Sequence, residues 1–510
     1  VAILGPTGTG TVSLGLPWYV YVPAAIVIAA AFATLVGALA VRTDGIYTIM
    51  ITLAIASAFF YFTRQNYTIF NGYSGFNLVL PPPLFGVDWR QPVPFYYLTL
   101  GAAVLCYAAV RYVARAPFGL ALQGTRDNPR RMAALGFNVQ AHRILAYTFA
   151  GVIAAIGGIL LVWQNAQIAP GTAGLPAVFD ILVIAVVGGL RRPEGAFIGA
   201  FIYVILRTFS PDLLSAFGLS TERFKLVIGI GFLAIAARSA DGGQGMTMTD
   251  TAAALGSVSA GNALELRGVT KMFGALAAIA DVTMSVRPGE RRAVLGSNGA
   301  GKTTLFNCIT GDFLPTSGTI RLFGEDVTVF PAQERIRRGL RRTYQISLLF
   351  TGLTVADNVY LACRGVSRAR FSMLRPRRGD PLLLRAAELI EAVRLTAARN
   401  RLVSELSYGQ QRQLEIALAL AGAPRFILFD EPAAGLSPTE RRELVAILNG
   451  LPAHIGYIII EHDMDVALRV AESVTMMHNG RVFKEGTPAE IEEDEEVQAL
   501  YLGDGSHAHG

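Results

Sequence analysis

The first 240 residues alternate long apolar runs with short polar connections, and the remainder does not. Apolar stretches at 18–41, 46–62, 95–113, 144–168, 178–190, 195–209 and 224–237 are expected membrane spans. Those at 18–41, 95–113 and 144–168 are long enough to cross a bilayer. The last three are short and contain glycine, which suits broken or re-entrant segments covered by neighbouring protein. A buried soluble core explains any one run, but not seven within 240 residues. Residues 239–262 (SADGGQGMTMTDTAAALGSVSAGN) are small and polar without an apolar period, and predict a flexible linker. Such a tether reaches about 25–30 Å. The expected organisation is a multi-span membrane domain over 1–238, the linker 239–262, a soluble domain over 263–503 and a disordered tail at 504–510.

Composition sharpens this division. Hydrophobic residues make up 52% of the 510 and charged residues 16%, against about 25% charged in soluble domains. That excludes a disordered chain, a disulfide scaffold and a purely soluble enzyme. The net charge of +6 divides unevenly: residues 1–240 hold 15 Lys/Arg and 7 Asp/Glu, leaving 29 and 31 beyond. The basic excess therefore belongs to the apolar half, where Arg reports membrane orientation. Arg111, Arg115, Arg126, Arg130, Arg131 and Arg143 cluster in or beside the connection 114–143. Taking that connection as cytoplasmic also places Arg42, Arg191, Arg192 and Arg238 inside, with few positive charges opposite. The soluble half is then cytoplasmic. Parity puts the N-terminus outside, so at least one further span is expected before Val1; no signal peptide is visible.

Within 114–143, Thr125 or Asp127 is an expected cap, Met132, Ala133 and Leu135 follow with apolar period, and Gly136 is a stop. A short basic helix here fits docking on a partner protein or lying on anionic headgroups. Cys106, Cys308 and Cys363 are too few and scattered for disulfides or a metal site. The basic runs 335–342 and 368–378 read as solvated faces, and no nucleic acid partner is expected.

The soluble half carries chemistry. AVLGSNGAGKTT (293–304) runs an apolar strand into a glycine-rich loop that opens a helix, with the spacing of a phosphate-binding loop. Gly296, Ser297, Asn298, Gly299, Ala300 and Gly301 let backbone N–H groups wrap phosphate oxygens at a helix N-terminus. Lys302 reaches the β/γ-phosphates, Thr303 ligates Mg²⁺, and Thr304 completes the loop. FILFDE (426–431) ends a strand in Asp430, placed to hold Mg²⁺ through water, and Glu431, placed to polarise an attacking water. Ser407-Tyr408-Gly409 opens a helix shortly before that strand, a second small anion site.

The order GSNGAGKTT, Gln345, LSYGQ, FILFDEP and His462 resembles the ATP-binding cassette ATPases over about 262–503. More narrowly, FGALAAIADV, NCITG, RRTYQ, LSYGQQRQLEIA, DEPAAGLSP and IIIEHDMD are similar to ATPase subunits of branched-chain amino acid importers. RTDGIYTIMITLA, APFGLALQGTRDNPRRMAALGFNV and VVGGLRRPEGAFIGA resemble the permease of the same systems. The resemblance implies that Phe273 stacks on adenine and that Gln345 senses γ-phosphate and Mg²⁺ and relays to the permease. It further implies that Ser407 and Gly409 bind the γ-phosphate of the opposite ATPase, that Glu431 is the general base, and that His462 contacts the γ-phosphate. Residues 125–135 become the coupling helix. Ser297 stands where such loops usually have Pro, and Ser437 where the cassette usually has Asp, which bears on coupling between sites.

The expected fold is thus an α-helical membrane domain joined by a flexible linker to an α/β P-loop ATPase domain. The expected function is ATP-driven import of branched-chain or related small amino acids across a bacterial inner membrane. ATP and Mg²⁺ are the expected cofactors. A second ATPase, a second permease, an external substrate-binding protein and membrane lipid are the expected partners. Urea or short-amide import, an exporter half and a non-transporting regulator remain as alternatives.

Overall fold

Apolar runs and strand runs sort into two units of different construction. The computed structural model describes residues 2–5, 14–43, 45–83, 86–189, 193–216, 262–344, 348–367, 369–377 and 379–498. The expected span 224–237, linker residues 239–261, Gln345 and the tail 504–510 lie outside the described residues. One unit comprises Val1–Ala114 and Gln140–Met248, the other Arg115–Val139 and Thr249–Gly510.

The first unit contains helices α1 (Trp18–Ala40), α2 (Ile46–Gln65) and α3 (Pro92–Ala114) and, after α4 (Pro117–Asp127) and α5 (Pro129–Ala134) of the other unit, α6 (Val139–Asn165), α7 (Leu175–Gly188) and α8 (Gly195–Ala216). Among the described residues, five helical stretches are long and apolar enough to cross a membrane: 18–40, 47–65, 92–114, 139–165 and 170–188. The run at 46–62 is therefore longer than its apolar residues suggest. It continues through Thr63, Arg64 and Gln65, and the Arg64 guanidinium lies 4.0 Å from the Tyr73 ring centroid. Large apolar side chains such as Val27, Ile49, Leu105 and Phe201 are exposed, as lipid-facing surfaces require.

Small residues bring these helices together. Thr34 and Thr148 hydrogen-bond at 2.8 Å between α1 and α6. A Cβ on Gly37 would sit 2.8 Å from the Tyr147 Cβ. Between α7 and α8, Cβ atoms on Gly188 or Gly199 would overlap the backbone oxygens of Gly195 and Ile184. Close backbone approach through small residues is how helices associate without a hydrophobic driving force.

In the second unit, α4 (Pro117–Asp127) and α5 (Pro129–Ala134) come first. The sequence predicts a cap at Thr125 or Asp127; the cap is Asn128, whose Oδ1 accepts from the Arg131 N–H at 2.9 Å. Pro129 forces this break, because it holds Asn128 extended and supplies no N–H of its own. Gly136, at φ 99°, stops the segment as expected.

Among the described residues, the rest of this unit has two sheets. Strands β1 (Leu264–Phe273), β2 (Leu276–Val286), β4 (Ser317–Leu322) and β5 (Glu325–Asp326) form an antiparallel sheet ordered β2-β1-β4-β5. Between β2 and β4 the chain forms β3 (Arg291–Leu295) and α9 (Lys302–Thr310). The second sheet adds β6 (Leu340–Arg342), β7 (Phe426–Asp430), β8 (Gly456–Ile460), β9 (Ser473–His478) and β10 (Arg481–Gly486), ordered β10-β9-β3-β8-β7-β6. All pairs in it are parallel except β9 with β10. Strand alternation divides the core: Val294, Leu428, Ile458 and Ile460 pack towards the antiparallel sheet. Leu295, Ile427, Phe429, Tyr457 and Ile459 pack towards the helical side, where Met132, Leu135 and Phe137 join the same core.

A buried arginine ties these layers. Arg335 donates to the carbonyls of Phe330 (2.9 Å), Cys308 (2.6 Å), Ile309 (2.9 Å) and Thr328 (2.9 Å). Cys308 and Ile309 lie in the last turn of α9, where a cation also meets the negative helix end. Arg335→Met takes a donor from four carbonyls, of which Cys308 keeps the Gly311 N–H, and we expect a loss of about 3–5 kcal/mol, read as a lowered unfolding temperature of the full chain.

Candidate functional site

Three parallel strands end at one edge of the six-stranded sheet. Ile460 is in register with Val294 on one side and Asp430 on the other. The residues that follow β3, β7 and β8 therefore emerge together at their carboxyl ends, where open parallel sheets bind ligands.

After β3 the loop 296–301 curls into α9. Gly299 and Gly301 have φ of 85° and 91°, which glycine adopts without strain. A Cβ on Gly301 would also lie 2.8 Å from Ile279 Cγ2. Lys302 Nζ donates to the carbonyls of Gly296 (2.7 Å) and Ser297 (3.0 Å), which holds its ammonium within the loop. Burial lowers the Lys302 pKa, while Glu431 and Asp430 act against that shift. Ala300 is buried, Ser297 and Thr304 are half-buried, and Asn298, Gly299 and Thr303 face solvent.

After β7 come the two acids. Asp430 Oδ2 accepts from Arg342 Nη2 at 2.7 Å, with both side chains 2% exposed. Its Oδ1 is buried and has no hydrogen-bond partner among the described residues. Burial raises the Asp430 pKa, with Arg342 opposing. Glu431 has φ of 48°, a conformation that costs a residue with a side chain about 1–3 kcal/mol and concentrates at functional sites. Its N–H donates to the Ile460 carbonyl at 2.9 Å. This turn brings Glu431 Oε1 to 2.8 Å from His462 Nε2, so the two residues named from sequence meet.

Beside them lies a carboxylate that sequence reasoning passed over. Glu461 is 2% exposed, and its Oε1 accepts from the Ala433 N–H at 2.7 Å. Burial pushes its pKa from 4.5 to about 7, against the backbone donors Ala433 and His462. Because the folded value is raised, stability is lost as pH climbs from 4.5 to about 7 and stays reduced above. Glu461→Gln should abolish that loss, gaining up to about 3 kcal/mol above pH 7. Unfolding temperatures measured from pH 5 to 8 test this, and equal pH slopes for both proteins would contradict it.

The other residues named from sequence lie apart from this cluster. Ser407 is the N-cap of α13 (Tyr408–Leu420), which follows α10 (Ala332–Arg337), α11 (Val355–Gly365) and α12 (Pro381–Ala392). Its Oγ accepts from Gln410 N–H at 3.3 Å, and Gln410 Oε1 accepts the Ser407 N–H at 3.1 Å. A Cβ on Gly409 would run into the Glu440 carboxylate. Among the described residues, neither Ser407 nor Gly409 hydrogen-bonds the phosphate loop. Ser437 caps α14 (Pro438–Asn449) with a reciprocal Glu440 box. Phe273 is 45% exposed and meets Phe313 edge-on at 5.6 Å.

The α4–α5 segment is seated on this unit. Arg130 Nη2 donates to Asp312 Oδ2 at 3.0 Å, and Arg131 Nη1 to the Arg342 carbonyl at 3.5 Å. Arg341 and Arg337 donate to the carbonyls of Leu135 (3.4 Å) and Gly136 (3.0 Å). The segment therefore rests on the second unit of its own chain.

Comparison with known proteins supplies the family. Residues 279–434 match the ABC transporter family, and 1–236 match the permease component of branched-chain amino acid transport systems. The ATP-binding protein BraF of high-affinity branched-chain amino acid transport in Pseudomonas aeruginosa is 36% identical over 249 residues, 47% of this chain and 98% of that protein. The chain belongs to the ATP-binding cassette transporters. The corresponding LivG of Escherichia coli is equally similar, 36% over the same shares. The lipopolysaccharide export ATP-binding protein LptB of Acidithiobacillus ferridurans is 36% identical over 47% of this chain and 97% of its own. This transporter joins a permease and an ATP-hydrolysing cassette in one chain. It is a membrane protein with a cytoplasmic nucleotide-binding domain, and its family works with ATPase and permease parts paired.

Proposed function

We propose that the chain is one half of an importer for branched-chain or related small amino acids in a bacterial inner membrane. The permease match supports this substrate class, because the cassette is as similar to an export ATPase as to BraF. The carrying observation is the seating of α4–α5, the 114–143 connection, on the unit that holds Lys302, Asp430 and Glu431.

In the mechanism, the loop 296–304 binds the phosphates through backbone N–H groups, and Lys302 turns its ammonium from its own loop carbonyls to them. Phe273 offers an exposed ring to the adenine. Asp430, Thr303 and Gln345 would hold Mg²⁺; the unpaired Asp430 Oδ1 and exposed Thr303 hydroxyl fit that task. The ion supplies charge neutralisation at the phosphates. Glu431 takes the proton of the attacking water, and His462, 2.8 Å away, orients Glu431 and contacts the γ-phosphate. Ser407 and Gly409, which make no hydrogen bond to their own loop among the described residues, complete the site of a second cassette. ATP-driven closure of the pair moves the α4–α5 segments and changes access through the permease. An external substrate-binding protein delivers the amino acid.

The test is uptake of labelled leucine, isoleucine and valine into proteoliposomes with the partner subunits, with and without the external binding protein. Binding-protein-dependent accumulation supports the reading. ATP-driven movement in the opposite direction refutes it.

A further inference from the structure

Between the docked α5 helix and the acid at the end of β7 runs a chain of alternating charges. Arg130 Nη2 donates to Asp312 Oδ2 at 3.0 Å. The same Asp312 oxygen accepts from Arg342 Nη1 at 3.3 Å. Arg342 Nη2 closes the series on Asp430 Oδ2 at 2.7 Å. Asn307 Oδ1 joins it, accepting from Arg342 at 2.6 Å and from Arg130 at 3.4 Å. Arg342, Asp312 and Asp430 are 2%, 5% and 2% exposed at their side chains, while Arg130 is 41% exposed. All three guanidinium groups of Arg130, Arg131 and Arg342 lie within 5.6 Å of the Tyr344 ring centroid.

Burial makes this arrangement consequential. Charges in water are screened, whereas a desolvated series of ion pairs responds as a unit when one member changes partner. Arg342 divides its guanidinium between Asp312 and Asp430, and Asp312 divides its carboxylate between Arg342 and Arg130. A tighter hold by Arg130 on Asp312 leaves Arg342 freer for Asp430, and a looser hold does the reverse.

We propose that Arg342 and Asp312 are positioning residues that couple the seating of the α5 helix to the ion pairing of Asp430. The proposal rests on the reading of Asp430 as a divalent-cation ligand in the nucleotide site. Coupling of this kind is reciprocal: a divalent cation at Asp430 also alters how firmly α5 is held.

The direction of the effect is the test. Arg130→Gln frees Asp312 to draw Arg342 from Asp430, so the Asp430 carboxylate is less neutralised by its guanidinium and divalent affinity rises. Asp312→Asn leaves Arg342 to Asp430 alone, so affinity falls. Mn²⁺ binding to the full chain with a non-hydrolysable ATP analogue, followed by electron paramagnetic resonance, should move by about two- to tenfold in these opposite senses. In the Asp312→Asn background, Arg130→Gln should have no further effect, and Arg130→Lys in the native background should behave nearly as wild type. Analogue binding without divalent ion should stay unchanged in every variant. Loss of folding alone moves both substitutions the same way, and that result, or a shift below about twofold in well-folded variants, overturns the proposal. A wild-type chain that binds the analogue but no Mn²⁺ overturns the ligand reading of Asp430 and the proposal with it.

Discussion

Glu431→Gln lowers ATP turnover about 10²- to 10⁴-fold and leaves ATP binding within about twofold. The amide keeps the shape and hydrogen-bonding reach of the side chain but accepts no proton from water. The backbone that aims this residue is set by its φ of 48° and by the bond from its N–H to Ile460. Neither depends on the side-chain charge, so the site stays assembled. Phosphate release at saturating ATP, beside nucleotide binding at equilibrium, measures the two effects separately. Hydrolysis at the wild-type rate would remove Glu431 from the role of base.

Met132→Glu in the α5 helix abolishes uptake while the cassette still hydrolyses ATP. Met132 is fully buried and shares its core with Leu135, Phe137 and Phe350. An ionised carboxylate there costs several kcal/mol unless the segment leaves its seat. The cassette's own strands and phosphate loop do not run through Met132, so undocking is the cheaper relief. Uptake should fall at least about tenfold, with ATP hydrolysis within about threefold of wild type. Uptake that survives this change would separate the segment from coupling.

The motifs that end strands were legible in the sequence because their geometry is local. A strand running into Gly296–Lys302, or into Asp430-Glu431, fixes where those side chains emerge. The register of Ile460 with Asp430 then brings His462 to Glu431, and the pairing was foreseeable once both strands were identified. Contacts between distant segments left no such trace. Arg130 and Asp312 are 182 residues apart, and no spacing rule marks them as partners. The basic run 335–342 reads as a solvated face, yet Arg335, Arg341 and Arg342 are buried, because backbone carbonyls, Asn307 and Asp430 satisfy their guanidinium groups. Glu461 leaves as little trace: its place in IIIEHDMD marks a motif but shows neither its burial nor its bond to Ala433. The cap at Asn128 was available from Pro129, whose ring restrains the residue before it more firmly than Thr125 or Asp127 attracts a helix start.

The central claim is that hydrolysis in the cassette and passage through the permease are one process in this chain. ATP hydrolysis and labelled branched-chain amino acid flux, followed together in the same proteoliposomes, test it most directly. The account predicts flux that requires hydrolysable ATP and disappears with Glu431→Gln. Amino acid accumulation that persists undiminished in that variant would contradict it.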